Sequence, residues 1–272
     1  MQIMNKLENK IIEKILSQSI LESNSDDNIK ESSKHWDEFN NGKVLNKEEI
    51  INFRRHGGLS NGLDDKLGMN IGHLVLHALE DIPYEFFSHV ITLINAGNDP
   101  DAIKIHDGFI SGNDVYHISW AYTLCEAIEK SSNQSTIKNF SILEIGGGFG
   151  SLSRILSSIY GKDMVYSLVE LPLSAALAAY YLSMHGKTVS LNGDLISSSI
   201  NGGEVVNIFT PGYEDWMSHE YDIIINTRSM MEMDKVQIDY YFNAIQNKGC
   251  IKKDGYFLNV NSCLLYTSDA AD

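Results

Sequence analysis

Residues 142–156 read ILEIGGGFGSLSRIL, an apolar run that passes through four glycines in five residues into a stretch with helical spacing. Glycines at a strand-to-helix turn admit positive φ and let backbone amides approach a ligand closely. The free N–H groups at the start of the following helix face the same point. The string therefore calls for a buried strand, a tight turn and a helix packed back on the sheet, with a nucleotide-like ligand at the turn. A purely structural turn is the competing reading of the glycines taken alone.

The surrounding chain fits that plan. Short apolar runs at 140–145 (FSILEI), 164–170 (MVYSLVE), 188–192 (TVSLN), 221–226 (YDIIIN) and 255–261 (GYFLNVN) predict strands. SLSRILSSIYG, LPLSAALAAYYLSMHG and DKVQIDYYFNAIQNKG between them have helical spacing, the last two ending in glycine as helices commonly do. Strand alternating with helix predicts an α/β fold with a parallel sheet covered on both faces. Residues 1–135 read instead as a mainly helical region. Its apolar-periodic pieces are WDEFN, NKEEIINFRR, IGHLVLHALEDI and PYEFFSHVITLINAG, preceded by a helix on which Leu7, Ile11, Ile15 and Ile12, Leu16, Ile20 form one stripe. NFRRHGGLSNGLDDK (52–66) is a long polar loop, of the kind that serves as a lid or a linker.

Composition removes several function classes. Lys and Arg total 21 against 36 Asp and Glu, a formal charge of −15, so no basic surplus is available for a phosphate backbone and nucleic acid is a poor partner. The 43% of hydrophobic residues suffices for a packed core, which excludes wholesale disorder. Cys125, Cys250 and Cys263 match neither a disulfide framework nor a paired metal motif, and fit a reducing compartment. The first 23 residues mix Lys and Glu with their apolar positions, so they form neither a signal peptide nor a membrane span. A cytoplasmic protein without membrane partners is expected.

Details around the turn bear on the ligand. A dinucleotide fingerprint needs glycine at 151, where the chain has Ser151. Gly146, Gly148 and Gly150, with Gly147 between them and Glu144 two residues before the first, instead resemble motif I of class I S-adenosylmethionine-dependent methyltransferases. The next strand ends in Glu170, twenty residues beyond Gly150, where a carboxylate can accept both ribose hydroxyls of a nucleoside, whether NAD or S-adenosylmethionine. Asp194 after TVSLN takes the place at which such methyltransferases often hold the adenine amino group. Asn226, at the carboxyl end of YDIIIN, faces the methionine part of the cofactor or caps a turn.

With these residues assembled, the chain resembles a bacterial family of sugar O-methyltransferases. The resemblance extends over SKHWDEFNNG, NFRRHGGLSNGLDD, LEIGGGFGSLSRIL, LVELPLSAALAAYYL, YDIIINTRSMMEM and GYFLNVN. The glycine motif is generic to the superfamily; the NFRRHGGLSNGLDD loop and the NTRSMMEM string point to the family. It implies a Rossmann-like class I methyltransferase sheet over 136–262, S-adenosylmethionine as cofactor, and a sugar or sugar-nucleotide acceptor held under the N-terminal helices. A complete sheet of that class has two further strands after GYFLNVN, for which 262–272 leaves no room. LLYTSDAAD also resembles adapter read-through, so 263–272 is expected to be a non-native tail on a truncated domain.

Methyl transfer to a hydroxyl requires positioning of the acceptor and removal of its proton. Glu232 after the fourth strand, and His56 and His117 from the N-terminal region, are the candidate bases. His73 and His77 share a helix face, but lack the glutamate and third ligand of a zinc site. No adjacent pair of acids marks a metal at the sheet edge, and dependence on a divalent metal stays open, as does the oligomeric state. A nicotinamide-dependent oxidoreductase and a non-catalytic Rossmann-like scaffold are the alternatives.

Overall fold

The computed structural model describes residues 2–18, 45–55, 80–105, 108–131, 140–199 and 203–260. Helices α1 (Gln2–Leu16), α2 (Lys47–Ile51) and α3 (Tyr84–Phe87) come first, followed by a hairpin of β1 (Ile103–Ile105) and β2 (Gly108–Ile110) and the long helix α4 (Gly112–Ser131). The rest runs β3 (Phe140–Ile145), α5 (Ser151–Tyr160), β4 (Met164–Val169), α6 (Pro172–Met184), β5 (Thr188–Leu191), β6 (Asp194–Ser197), β7 (Val205–Phe209), β8 (Tyr221–Thr227), α7 (Lys235–Gln246) and β9 (Ile251–Val260). These last strands form one sheet in the order β6-β5-β7-β4-β3-β8-β9, parallel throughout except for β6. The fold is thus α/β, with a mostly parallel, Rossmann-like sheet.

Alternation along β3 explains why both faces are covered. Ile142 contributes to one buried cluster, together with Tyr166 and Leu168 of β4 and residues of α4, α5 and α6. Leu143 and Ile145 point the other way, into a second cluster with Trp216, Tyr241, Ala244 and Ile245. A strand buried on both sides has no polar alternation, which is why β3 reads as a continuous apolar run. α6 carries the same signature in helical form: Pro172 opens it at a position that needs no N–H, and residues 174–183 are all buried.

The N-terminal region shares the first of these clusters. Ile11, Ile12 and Ile15 of α1 are buried in it, whereas Leu7 and Leu16 stay exposed, so the apolar stripe is narrower than the periodicity predicts. Glu8 accepts a 2.7 Å hydrogen bond from Tyr180 of α6. Lys14 Nζ donates to the carbonyls of Leu195 and Ile196 on β6, at 2.9 and 3.1 Å, covering part of an edge strand.

Two expectations change. PYEFFSHVITLINAG is helical only to Val90; Ile91 is extended and Thr92 bridges Phe109 of β2 in both directions, because the β-branched run Val90-Ile91-Thr92 serves better as hairpin edge than as helix. The sequence pattern announces no strand at 205–209, yet β7 forms there and lies beside β4, with the 188–192 run one position further out as β5. WDEFN, IGHLVLHA and residues 261–272, with the expected tail, lie outside the described residues. Among the described residues no helix is long and apolar enough to cross a membrane.

Candidate active site

The connections from β3 lead to β4 on one side, while β8 flanks it on the other, so the carboxyl ends of these three strands open into a crevice at a topological switch point. Into it come residues 146–150, Glu170 and the 226–232 loop. Gly146 has φ 72°, and a side chain there would collide with Ser229 of the β8 loop. Gly148 has φ 59°, but a Cβ there meets nothing within 4 Å, so its open side faces the crevice. Phe149 pins the loop from behind, packed against Phe53 and Tyr181 with ring centroids 5.4 and 4.9 Å away. Gly150 then opens α5 without any side-chain cap, leaving the first-turn amides to other partners.

Carboxyl groups sit against this loop. Glu170 Oε2 accepts the Gly148 N–H at 3.0 Å and Oε1 accepts the Leu171 N–H at 3.0 Å. Burial pushes the Glu170 carboxyl up to about 7; the two amide bonds oppose that, and the charge of Glu232 adds to it. Glu144 is fully buried under Gly147, where any side chain would meet its carboxyl. Tyr166 donates to Glu144 Oε2 at 2.8 Å, while Oε1 has no hydrogen-bond partner among the described residues. Burial first, and Glu170 second, against the Tyr166 bond, push Glu144 to about 7 as well.

A buried polar network ties the N-terminal helices to this turn. Asp114 of α4 accepts from Ser151 Oγ at 2.7 Å, from Ser111 Oγ at 2.7 Å and from Arg154 Nη2 at 3.1 Å. Arg154 also donates to the Tyr181 hydroxyl at 3.0 Å and to the carbonyls of His89 and Val90. Burial opposes the charge of Asp114, but Arg154 and Arg54 outweigh it and hold the carboxyl well below its ordinary value. Ser151, the residue that breaks the dinucleotide fingerprint, is thus the point at which α5 is fastened to α4.

His117 lies one turn beyond Asp114 on α4, part-buried with its ring 5.1 Å from Trp120. Burial, together with Arg154, Arg228 and Arg54 and against the pull of Asp114, lowers it to about 4, so it is a neutral imidazole at pH 7. Glu232 ends a 3₁₀ turn, Met230–Glu232, within electrostatic reach of Glu170. The structure therefore brings Glu144, Gly146, Gly147, Gly148, Gly150, Glu170 and Glu232 around one crevice. His117 lies on α4, within electrostatic reach of Arg154, Arg228 and Arg54.

Asn226 takes the turn-capping one of its two expected places, and Asp194 is placed differently from expectation. Asn226 is fully buried; its amide donates to Ile145 O at 2.9 Å and to Ser229 Oγ, and its Oδ1 accepts the Met230 N–H at 3.3 Å. Both amide hydrogens are spent on joining β8 to β3 and closing the turn, the capping role the sequence allowed. Asp194 is exposed on β6, with β5 and β7 between it and β4, because the intervening strand moves its hairpin to the sheet margin. The loop after β7 takes the adjacent place instead. There Thr210 is fixed by its N–H bond to Asn192 Oδ1 at 2.9 Å, and Tyr213 stacks on Phe209 at 6.0 Å. His56, His73 and His77 lie outside the described residues, and among those described no three His, Cys, Asp or Glu side chains gather as a metal ion requires.

No protein-family profile and no curated protein matches the sequence. Among solved structures the chain is similar to a mitomycin 7-O-methyltransferase, at 16% identity and TM-score 0.33 over 70% of this chain and 47% of that one. It is similar also to coclaurine N-methyltransferase bound to N-methylheliamine and SAH, at 15% and 0.37 over 78% and 55%. A third is a protein-L-isoaspartate O-methyltransferase, at 16% and 0.31 over 71% and 51%. The chain spans about half the length of these proteins.

Proposed function

We propose that the chain is an S-adenosylmethionine-dependent O-methyltransferase acting on a hydroxyl of a sugar or glycan precursor. One observation carries the cofactor part: the glycine turn faces carboxyl groups. In a dinucleotide site the loop amides receive a pyrophosphate. Here the Gly148 amide is already taken by Glu170, so it is not open to a pyrophosphate oxygen. A nucleoside without a pyrophosphate needs no such amide, and its ribose hydroxyls can donate to Glu170.

The residues present fit such a ligand. Glu170 keeps lone pairs beyond its two amide bonds for ribose hydroxyls, and the open side of Gly148 leaves room for the nucleoside. When bound, S-adenosylmethionine supplies an electrophilic methyl carbon. The chain's own task is to orient an acceptor hydroxyl and take its proton. Neutral His117 can accept a proton, and Glu232, in the loop after β8, is the second candidate base. The sugar acceptor is supported by the resemblance of the NFRRHGGLSNGLDD and NTRSMMEM segments.

Calorimetric titration with S-adenosylhomocysteine, with NAD as competitor and Glu170→Ala as control, tests the cofactor. Saturable binding that NAD does not displace, weakened by about 1.5–3 kcal/mol in the variant, is the expected result. NAD binding in its place would overturn the proposal and restore the oxidoreductase.

A further inference from the structure

We propose that Phe53 and Arg54, from the N-terminal region, are positioning residues for the cofactor: through Phe149 they hold the glycine turn in the shape that receives S-adenosylmethionine. The inference rests on the methyltransferase reading and extends the same site beyond the sheet that forms its floor.

Phe149 lies between Gly148 and Gly150, whose φ values of 59° and 87° are both left-handed. Glycine populates many backbone conformations, so two of them flanking one residue leave its place to be set by the contacts of its side chain. Those contacts come from two sides. Tyr181 of α6 stands 4.9 Å away, ring to ring. The others belong to the segment just after α2: the Phe53 ring at 5.4 Å, and the Arg54 guanidinium over the Phe149 face, 5.0 Å from its centroid.

A second turn seats that segment. The Arg54 N–H donates to Gly97 O at 3.0 Å, and Asn98 Nδ2 donates to Ile51 O at 3.2 Å and to Asn52 Oδ1 at 3.0 Å. Gly97 has φ 85°, and any side chain there would strike Phe53 and Arg54. Asn95 closes the turn by accepting the Asp99 N–H at 3.0 Å and donating to Asp99 O at 2.8 Å. Asp99 Oδ2 in turn accepts from Arg54 Nη2 at 2.5 Å. Arg54, Asp99 and Phe149 are all buried. Stability alone does not call for an ion pair in such a place, because an apolar side chain would fill it without desolvating two charges. What the pair supplies is direction: it sets a planar cation against the ring that carries the turn. A turn ordered before its ligand arrives loses little further freedom on binding, so these contacts act on cofactor affinity.

The test uses the whole chain and three variants: Arg54→Met combined with Asp99→Asn, which removes both buried charges together; Phe53→Leu, which keeps them; and Arg54→Lys. S-adenosylhomocysteine is titrated calorimetrically, and amide exchange of the 142–156 peptide is followed without ligand. The dissociation constant should rise about fivefold or more in the first two variants and less in Arg54→Lys, with faster exchange across 146–151. A variant that is merely less stable, yet folded at the assay temperature, keeps the parent dissociation constant. An unchanged constant in the folded variants, or exchange at 146–151 no faster than in the parent, would overturn the inference. Should the first two variants not fold, Arg54→Lys, which keeps the charge and loses the planar face, decides by the same two readings. Failure of S-adenosylhomocysteine to bind the parent chain falls instead on the cofactor reading, and exchange without ligand still decides the role of Phe53 and Arg54.

Discussion

Replacing Glu144 by glutamine should flatten the pH dependence of folding. The native carboxyl is held at about 7 by burial, against an ordinary value of 4.5. Between those values the folded chain keeps a proton that the unfolded chain has released. Stability contributed by this group is therefore fully present below about pH 4.5 and is lost as the pH rises through 7. A gap of that size corresponds to about 3 kcal/mol, at roughly 1.4 kcal/mol per pKa unit, and Glu144 has no solvent exposure to reduce it. Glutamine has nearly the same shape, its carbonyl can still accept from Tyr166, and it does not titrate. Urea unfolding of both proteins at pH 5, 6, 7 and 8 gives the comparison. Any fixed cost of the amide shifts the two curves apart equally at every pH. The informative quantity is the change in their separation, which should favour Glu144→Gln by about 2–3 kcal/mol more at pH 8 than at pH 5. Glu170 is present in both proteins, so the difference reports Glu144 and its repulsion with Glu170. Parallel curves would refute the reasoning: the carboxyl would then ionise at its ordinary value, and its unsatisfied oxygen would have to be reached by water.

Four further outcomes are expected. Gly146→Ala should unfold or severely destabilise the chain, because a left-handed backbone and a collision with Ser229 coincide; Gly148→Ala should cost only about 1–2 kcal/mol in thermal melts while reducing S-adenosylhomocysteine affinity. Asp114→Asn should lose about 3–5 kcal/mol at pH 7 by leaving Arg154 buried without its counter-charge. Because Asp114 is held below its ordinary value of 3.8, that deficit should shrink as the pH falls below 4, which acid titration of both proteins would reveal. Affinity for S-adenosylhomocysteine should fall between pH 8 and pH 5 as Glu170 takes up a proton, and calorimetry in matched buffers should find that dependence gone in Glu170→Gln.

What was legible in the sequence was what is local. The β3–α5 turn needs its glycines, its apolar strand and its helix within fifteen residues, and all three are written contiguously. β7 escaped because VVNIF is short, carries Asn207 within it, and owes its existence to partners on β4 and β5. The fate of Asn226 is decided by a carbonyl 81 residues away, and no local pattern separates a strand-end asparagine that binds a ligand from one that ties two strands together. Asp114 and Arg154 are ordinary polar residues of amphipathic helices until α4 and α5 meet. The signal that could have found them is Ser151: a serine where a glycine would do is a serine with a partner.

The position of β7 has a consequence for how the chain assembles. β5 and β6 are made before β7, but β5 reaches the rest of the sheet only through β7, which must enter between it and β4. When residues 188–197 leave the ribosome, the parallel edges of β3 and β4 are both open to them, and pairing at β4 would fill the slot that Val205–Phe209 later needs. The hairpin must wait, held by α6 and by the two carbonyl bonds of Lys14, until a strand synthesised after it arrives. The slow step in forming this sheet is thus an insertion rather than an addition at its margin, and conditions that hasten collapse should trap the chain with one strand too few.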